Sequence, residues 1–342
     1  MVNARTMLSL GTAAAVAALV AGAATAYAKP EYKLEISLET APNHVRNIST
    51  IEYAEELMKR SGGKLEVKIY HGAAKFKDTD LPKALNQGAI DMGMPITSHL
   101  GKFVPNFDAP DLPIFYGRSR HEIYKVWDGE AGKKIVAEIE KKLGVKVIGP
   151  WMDLGPAQTY SISKEIKTAA DMKDLKIRVP GGAGNNARYD ALGASPVKIA
   201  WPDVPQALQR NTIDGLFTTY ESVRSAKLWD SGVKFAYDNN QSFIQYVPCV
   251  SGKAWNAYPK EIQDLIVTVW KEKIGGIRDN AEARQKSARE DAIKNGIKAT
   301  VPSKEDIDAS RKRLMAKQDE IVKELKIDPD FVKLIAATLT GS

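Results

Sequence analysis

The chain has 342 residues, 44% hydrophobic and 27% charged, with a net charge of +7 and a single cysteine. That length supports two domains with real cores, and one cysteine excludes an internal disulfide. The basic excess is interspersed with acidic residues and forms no Arg/Lys block with aromatics between, so no nucleic-acid partner is expected.

The first element is a leader. Arg5 is the only charge before an Ala/Val/Leu run that closes on Ala26-Tyr27-Ala28, and polar sequence begins at Lys29-Pro30. A short positive start, an apolar stretch and an A-x-A site predict a cleaved signal peptide over 1–28 rather than a membrane anchor. No twin arginine is present, which favours the general secretory route. Cleavage leaves 314 residues with net charge +6, since Arg5 alone is lost. No later stretch is long and apolar enough to span a bilayer. The mature protein is therefore expected outside the cytoplasm, in the periplasm, and not itself membrane-spanning.

The elements that follow come twice. "YKLEISL" (32–38) alternates as a strand, "NISTIEYAEELMKRSGG" (47–63) has helical period with a glycine stop, and "KLEVKIY" (64–70) is a strand again. "LPKALNQGAIDMG" (81–93) then carries a proline near a helix start and an Ile-Asp leading into a strand. Further on, "LKIRV" (175–179), "GNNARYDALG" (184–193), "SPVKIAW" (195–201) and "VPQALQRNTIDGL" (204–216) repeat the order strand, helix, strand, helix, strand. Segments 81–93 and 204–216 share Pro, Ala, Leu, Ile and Asp at five matched positions. Two similar α/β lobes with mixed, mainly parallel sheets follow, and ligands on such sheets sit beyond the carboxyl ends of the strands. The reading divides the chain into lobe I (29–154), lobe II (155–250) and a helical remainder (251–342). In that remainder Ile262, Leu265, Ile266, Val269 and Trp270 recur at helical spacing. A Ser-x-x-Asp signal opens a helix over 303–326. These long C-terminal helices are expected to brace both lobes.

Between the repeated strands lies a glycine turn. Gly182, Gly184 and Ala187 fit G-x-G-x-x-A, with Asp203 about twenty residues on. Three arguments stand against a dinucleotide here. Pro180 and Gly181 displace the turn from the strand end, Arg178 stands where a small residue is wanted, and nicotinamide cofactors are not normally supplied to an exported protein. Asp203 is expected to cap the helix that follows it. Arg178 is the residue left to explain: Leu175, Ile177 and Val179 share one strand face and Arg178 points to the other. In a strand covered on both sides it needs an anion, either an internal carboxylate or a ligand's. Composition leaves both open.

The stretch "ADMKDLKIRVPGGAGNNARYDALGASPVKIAWPDVPQALQRNTIDG" decides more, because K-I-R-V-P, G-A-S-P-V, ALQ and IDG in this order are specific. It resembles the signature of solute receptors from tripartite ATP-independent periplasmic (TRAP) transporters, the DctP family. The resemblance runs from about Tyr32 to the C-terminal helices. It implies a two-lobed periplasmic binding protein fold, type II-like, without catalytic activity or cofactor. Such a receptor captures a small organic acid and delivers it to TRAP membrane subunits. By the same resemblance Arg178 holds the ligand's carboxylate, Trp201 walls the pocket, and Thr218 stands where many relatives have an Asn, with Thr219 and Tyr220 beside it. Some relatives carry a second arginine where this chain has Ala157 and Gln158, so a second fork is missing.

Glu39, Thr97, Ser98 and His99 are the first-lobe candidates, all near strand ends, and Gly181 and Gln245 complete the set. An anion near Glu39 would be repelled, so that residue suits a ligand hydroxyl, amine or water. The ligand expected is a small monoanion, a carboxylate or a sulfonate, rather than a dicarboxylate. His44, His71, His99 and His121 show no metal spacing, and all but His99 are expected at the surface. Cys249 and the remaining tryptophans are expected to pack. Two rival readings remain: an exported NAD(P)-dependent oxidoreductase using the 182–187 turn, and the receptor of an ATP-driven importer.

Overall fold

The computed structural model describes residues 30–341, so the expected leader lies outside the described residues. The strands are β1 (Tyr32–Ser37), β2 (Leu65–Tyr70), β3 (Met92–Gly93), β4 (Val145–Val147), β5 (Met152–Ser161), β6 (Lys176–Val179), β7 (Ser195–Lys198), β8 (Gly215–Thr218), β9 (Phe235–Tyr246), β10 (Cys249–Ser251) and β11 (Lys298–Thr300). They form two sheets, ordered β2-β1-β3-β10-β4 and β11-β9-β5-β8-β6-β7.

The internal repeat is a repeat of topology. In the first sheet β1 pairs in parallel with β2 and β3, and in the second β6 pairs in parallel with β7 and β8. Helices Val45–Arg60 and Leu81–Asn86 make the first pair of crossovers, and Ala183–Ala191 and Val204–Gln209 the second. Beside each unit lies an antiparallel strand brought from the other side of the chain: β10 against β3, and β5 against β8. The parallel pairings thus belong mostly to the repeated units, and the crossing strands make both sheets mixed. Strand β5 runs antiparallel to β9 along nearly its whole length, with register shifts at Asp153/Gly155 and Ala157/Thr159. This ribbon ties the two lobes together.

The central strands are covered on both faces. Leu34, Ile36, Ile177 and Val179 are fully buried, and Arg178, between the last two, is only 2% exposed. The alternation that turns Ile177 and Val179 to one face therefore puts a guanidinium into a dry layer on the other.

Helix Lys260–Lys294 braces the lobes as expected. Ile262, Ile266, Val269, Trp270, Ile274 and Ile277 enter one core with Leu34 and Ile36 of the first sheet. Ala288 and Ala292 enter another with Leu216 and Ala236 of the second. Trp270 Nε1 donates to Pro150 O at 2.9 Å, and Arg278 donates to Trp151 O and to the Asp128 carboxylate, so the helix is pinned where it crosses the hinge. The helix expected over 303–326 is in fact two, Lys304–Met315 and Gln318–Glu324. Ser303 does cap the first, accepting from Asp306 N at 3.1 Å. The chain then turns at Ala316–Lys317, which lets Gln318 Oε1 accept from Ile114 N at 2.8 Å. Among the described residues no helix is long and apolar enough to cross a membrane.

Candidate anion site between the lobes

Arg178 is held by backbone, not by acid. Its Nε donates to Ile199 O at 2.9 Å and its Nη1 to Phe217 O at 3.4 Å, carbonyls at the ends of the neighbouring strands. The guanidinium carbon lies 5.5 Å from the centre of the Trp201 ring. Among the described residues no carboxylate forms an ion pair with it, and its Nη2 makes no hydrogen bond. Burial lowers its pKa to about 10, against the pull of Asp78, Glu39 and Tyr246, so it stays cationic at neutral pH.

Arg178 lines a cavity of about 40 Å³ shared by Glu39, Asp78, Ile96, Trp201, Thr218 and Tyr246, among others. One water needs about 10–15 Å³, so the space is small but large enough to be occupied. Both lobes contribute walls, and the lobes are closed on each other. Asp78 accepts from Trp201 N at 3.1 Å, His99 Nε2 donates to Pro180 O at 3.1 Å, and Val45 N donates to Glu221 Oε1 at 3.0 Å.

The acids of this cavity differ in their partners. Glu39 is ion-paired with Arg46, which is 1% exposed and lies 4.2 Å over the Tyr246 ring. Glu39 thus lines the same cavity as Arg178, but its charge is matched from its own lobe. Asp78 has no such cation. Burial, then Glu39, pushes its pKa up to about 6, while Arg178 and the Trp201 and Thr79 amides pull it down. His99 is kept neutral, since burial pushes its pKa down to about 4. Sequence reasoning missed Arg46, Asp78 and Tyr246. The first two sit in a helix start and a loop with no motif around them, so no pattern marked them.

The other candidates are dispersed. Thr97 and Ser98 border a second small cavity, and Ser98, His99 and Gly181 line an outer groove of about 380 Å³ with Lys102 and Lys198. Thr219 caps helix Tyr220–Ser225, accepting from Ser222 N at 3.4 Å, and is not among the cavity walls. Tyr220 donates to Asp238 at 2.5 Å, and Gln158 exchanges hydrogen bonds with Asn240; both line a separate groove of about 680 Å³. Gln245 donates to Asp153 at 2.8 Å beneath the hinge. The larger groove has a weaker claim on an anion, because Arg118, Arg120 and Arg289 there are each ion-paired.

Asp203 and His44 depart from expectation. Asp203 makes no capping bond; it pairs with Lys77 across the lobes at 2.6 Å. His44 is fully buried, where it caps the helix Val45–Arg60 and meets Ser222 Oγ at 3.2 Å. The amides of the glycine turn are not all open to a ligand, since Gly184 N donates to Asp108 at 3.2 Å. That carboxylate occupies the place a pyrophosphate would take at the helix start. A Cβ on Gly182 would lie 2.7 Å from that of Ser98, so the turn's glycines serve close lobe-to-lobe packing. Cys249 is buried and free, as expected.

A closed two-sheet protein with an unmatched arginine in its cleft matches a known family. The model of the bacterial extracellular solute-binding proteins, family 7 (DctP), covers residues 36–325. The chain belongs to this family. It is 27% identical over 231 residues to the C4-dicarboxylate-binding periplasmic protein DctP of Rhodobacter capsulatus, covering 67% of this chain and 68% of that one. It is 25% identical over 235 residues to the 2,3-diketo-L-gulonate-binding periplasmic protein YiaO of Escherichia coli, covering 69% and 70%. Among solved structures, the sugar acid binding protein of Advenella mimigardefordensis in complex with galactonate superposes with a TM-score of 0.86 at 20% identity, over 92% of this chain and 99% of that one. A TRAP periplasmic solute binding protein of Ralstonia eutropha with bound (S)-2-acetolactate gives 0.84 at 23% identity, over 91% and 99%. The two-lobed α/β fold and membership of this extracellular solute-binding family are thereby established. The family works outside the cytoplasm as receptors, and neither rival reading gains support.

Proposed function

We propose that this protein is a periplasmic receptor that binds a small organic monoanion through Arg178 and hands it to the membrane subunits of a TRAP transporter. The observation that carries this reading is a buried guanidinium with no acidic partner, facing a cavity closed by both lobes. Leaving a charge unpaired in a dry layer is costly unless a ligand completes it. In this reading residues 29–154, joined by strand β10, and residues 155–250 close on the ligand, while the helices of 251–342 hold the hinge.

The charge pattern favours a monoanion. Arg46 is committed to Glu39, and the Asp78 carboxylate faces the same space, so a second ligand carboxylate would find no free fork and two acids. The cavity volume favours a short chain. A carboxylate or a sulfonate meets the same guanidinium geometry. Several C4-dicarboxylate-binding relatives, and a structural relative with bound succinate, differ from this expectation, whereas acetolactate and galactonate, bound by two structural relatives, are monoacids. Micromolar binding needs about 8 kcal/mol and one charged hydrogen bond contributes about 1.5–3 kcal/mol, so closure of the cleft supplies the remainder. Titration calorimetry with short monoacids, short sulfonates and succinate tests the reading. Monoanions should bind and succinate should bind more weakly; tighter binding of succinate than of matched monoacids overturns the charge assignment.

A further inference from the structure

The cavity at Arg178 has a neighbour. A second chamber of about 10 Å³, room for one water-sized group, shares four walls with it: Ile96, Pro180, Phe217 and Ile244. Its other walls are mostly polar, with Thr97, Ser98 and Asp111 from one lobe, Asn185 from the other, and Ser242 on the hinge strand β9. Because the lobes supply opposite walls, the chamber exists only when they are closed.

Asp111 is the unusual member. The residue is 6% exposed. Its Oδ1 accepts from Arg188 Nη1 and from Ser242 Oγ, both at 3.3 Å. Its Oδ2 is buried and has no hydrogen-bond partner. An ionised carboxylate has room for about four donors, and leaving one oxygen dry and bare carries a desolvation cost. Asn185 makes no bond to it: its amide donates to Gly181 O at 3.0 Å and its carbonyl accepts from Arg188. Ser242 Oγ and Arg188 Nη1 bond the other oxygen, and Arg188 Nε, itself buried without a partner, makes no bond to Oδ2. The fold therefore holds an acceptor without a donor one chamber away from a guanidinium, Arg178, whose Nη2 has no acceptor among the described residues.

We propose that Asp111 Oδ2 is the far end of the ligand site, accepting a hydrogen bond from a hydroxyl or ammonium group carried at the opposite end of the acid from its carboxylate. This assignment rests on the reading of Arg178 as the carboxylate anchor. It makes the preferred ligand class short ω-hydroxy or ω-amino acids, with the carbon chain lying over Phe217 and Ile244. No electron or group transfer is involved; the pairing is recognition only.

The test is calorimetry on the full chain with matched short acids: propionate against 3-hydroxypropionate, butyrate against 4-hydroxybutyrate and 4-aminobutyrate, and pentanoate against 5-hydroxypentanoate. The readout is the ratio of Kd values within each pair, which cancels the contribution of Arg178. At one chain length the ω-donor should tighten binding about tenfold or more, as expected for a buried hydrogen bond to a carboxylate. In Asp111→Asn that ratio should fall towards one. Should Asp111→Asn fail to fold for want of a charge beside Arg188, Thr97→Leu gives the same reading by filling the chamber while leaving the Asp111–Arg188 pair in place. The proposal is overturned if plain acids bind but no ω-donor improves on them at any length, or if the improvement survives both substitutions. If no acid of either kind binds the unmutated chain, the anchor reading itself fails and takes the subsite with it.

Discussion

Two guanidiniums, one from each lobe, are buried beside the same cleft, and the fold treats them in opposite ways. Arg46, on the first-lobe helix Val45–Arg60, is ion-paired with Glu39 and stacked over Tyr246. Arg178, on strand β6, has two backbone carbonyls and the Trp201 face but no acid. Burial is nearly the same, 1% and 2%. What differs is completion: one charge is neutral before any ligand arrives, the other awaits an anion. Identical residue types at equal depth thus separate into a structural cation and a binding cation by the position of one carboxylate.

Breaking the unmatched side should have the largest effect. Arg178→Ala is expected to weaken binding of a short monoacid by about a hundredfold or more, since truncating one partner of a buried charged pair costs about 2–5 kcal/mol. The melting temperature without ligand should hold or rise, because an unpaired buried charge has been removed. Arg178→Lys should bind almost as poorly, a point charge being unable to reproduce the fork. Calorimetry and thermal denaturation check both.

Converting the matched side into an unmatched one sharpens the comparison. Glu39→Gln frees Arg46 and should shift preference towards a dianion, raising succinate affinity relative to butyrate by about tenfold, near the worth of one charged hydrogen bond. The variant should melt lower without ligand and recover with succinate. Unchanged selectivity would show that Arg46 does not face the ligand space.

A smaller effect comes from Asp78, the cavity acid without its own cation. Its pKa is pushed up to about 6 in the closed state, above the usual carboxylate range near 4. Closure therefore takes up a proton within that window, and affinity for an anion should rise as pH falls through 6 towards 4, by at most about tenfold per pH unit. By the same sign, the closed protein without ligand should lose stability as pH rises through that interval. A short sulfonate, which stays ionised throughout, is the probe of choice, and Asp78→Asn should flatten the profile. His99, with its pKa near 4, stays neutral over most of the window.

The smallest effect is expected at the rim. Lys77 and Asp203 bridge the lobes at 2.6 Å, yet each is about half exposed (48% and 47%). Asp203→Ala should change the ligand's dissociation rate by no more than about threefold, and added salt should erase the difference. Stopped-flow release kinetics read it directly.

The sequence by itself determined the repeated strand-helix order, because alternation of Leu34 with Ile36 and of Ile177 with Val179 dictates strands, and Pro, Gly and Ser punctuation dictates their limits. It also singled out Arg178, since period two puts a charge where only apolar residues belong. Trp201 and Thr218, named through the family signature, line the same cavity. Partnership was beyond its reach. Whether Glu39 repels an anion, whether Asp203 caps a helix or bridges lobes, and whether His44 is wet or dry depend on contacts between residues up to about 180 positions apart. Arg46, Asp78 and Asp111 stand in segments without periodic or motif signal; Asp78 and Asp111 acquired meaning when closure set them against Trp201 and Arg188, and Arg46 when folding set it beside Glu39. Local pattern determines which face a side chain takes; only tertiary structure decides which charge meets which, because ion pairing depends on through-space distance and dielectric, and neither is written along the chain.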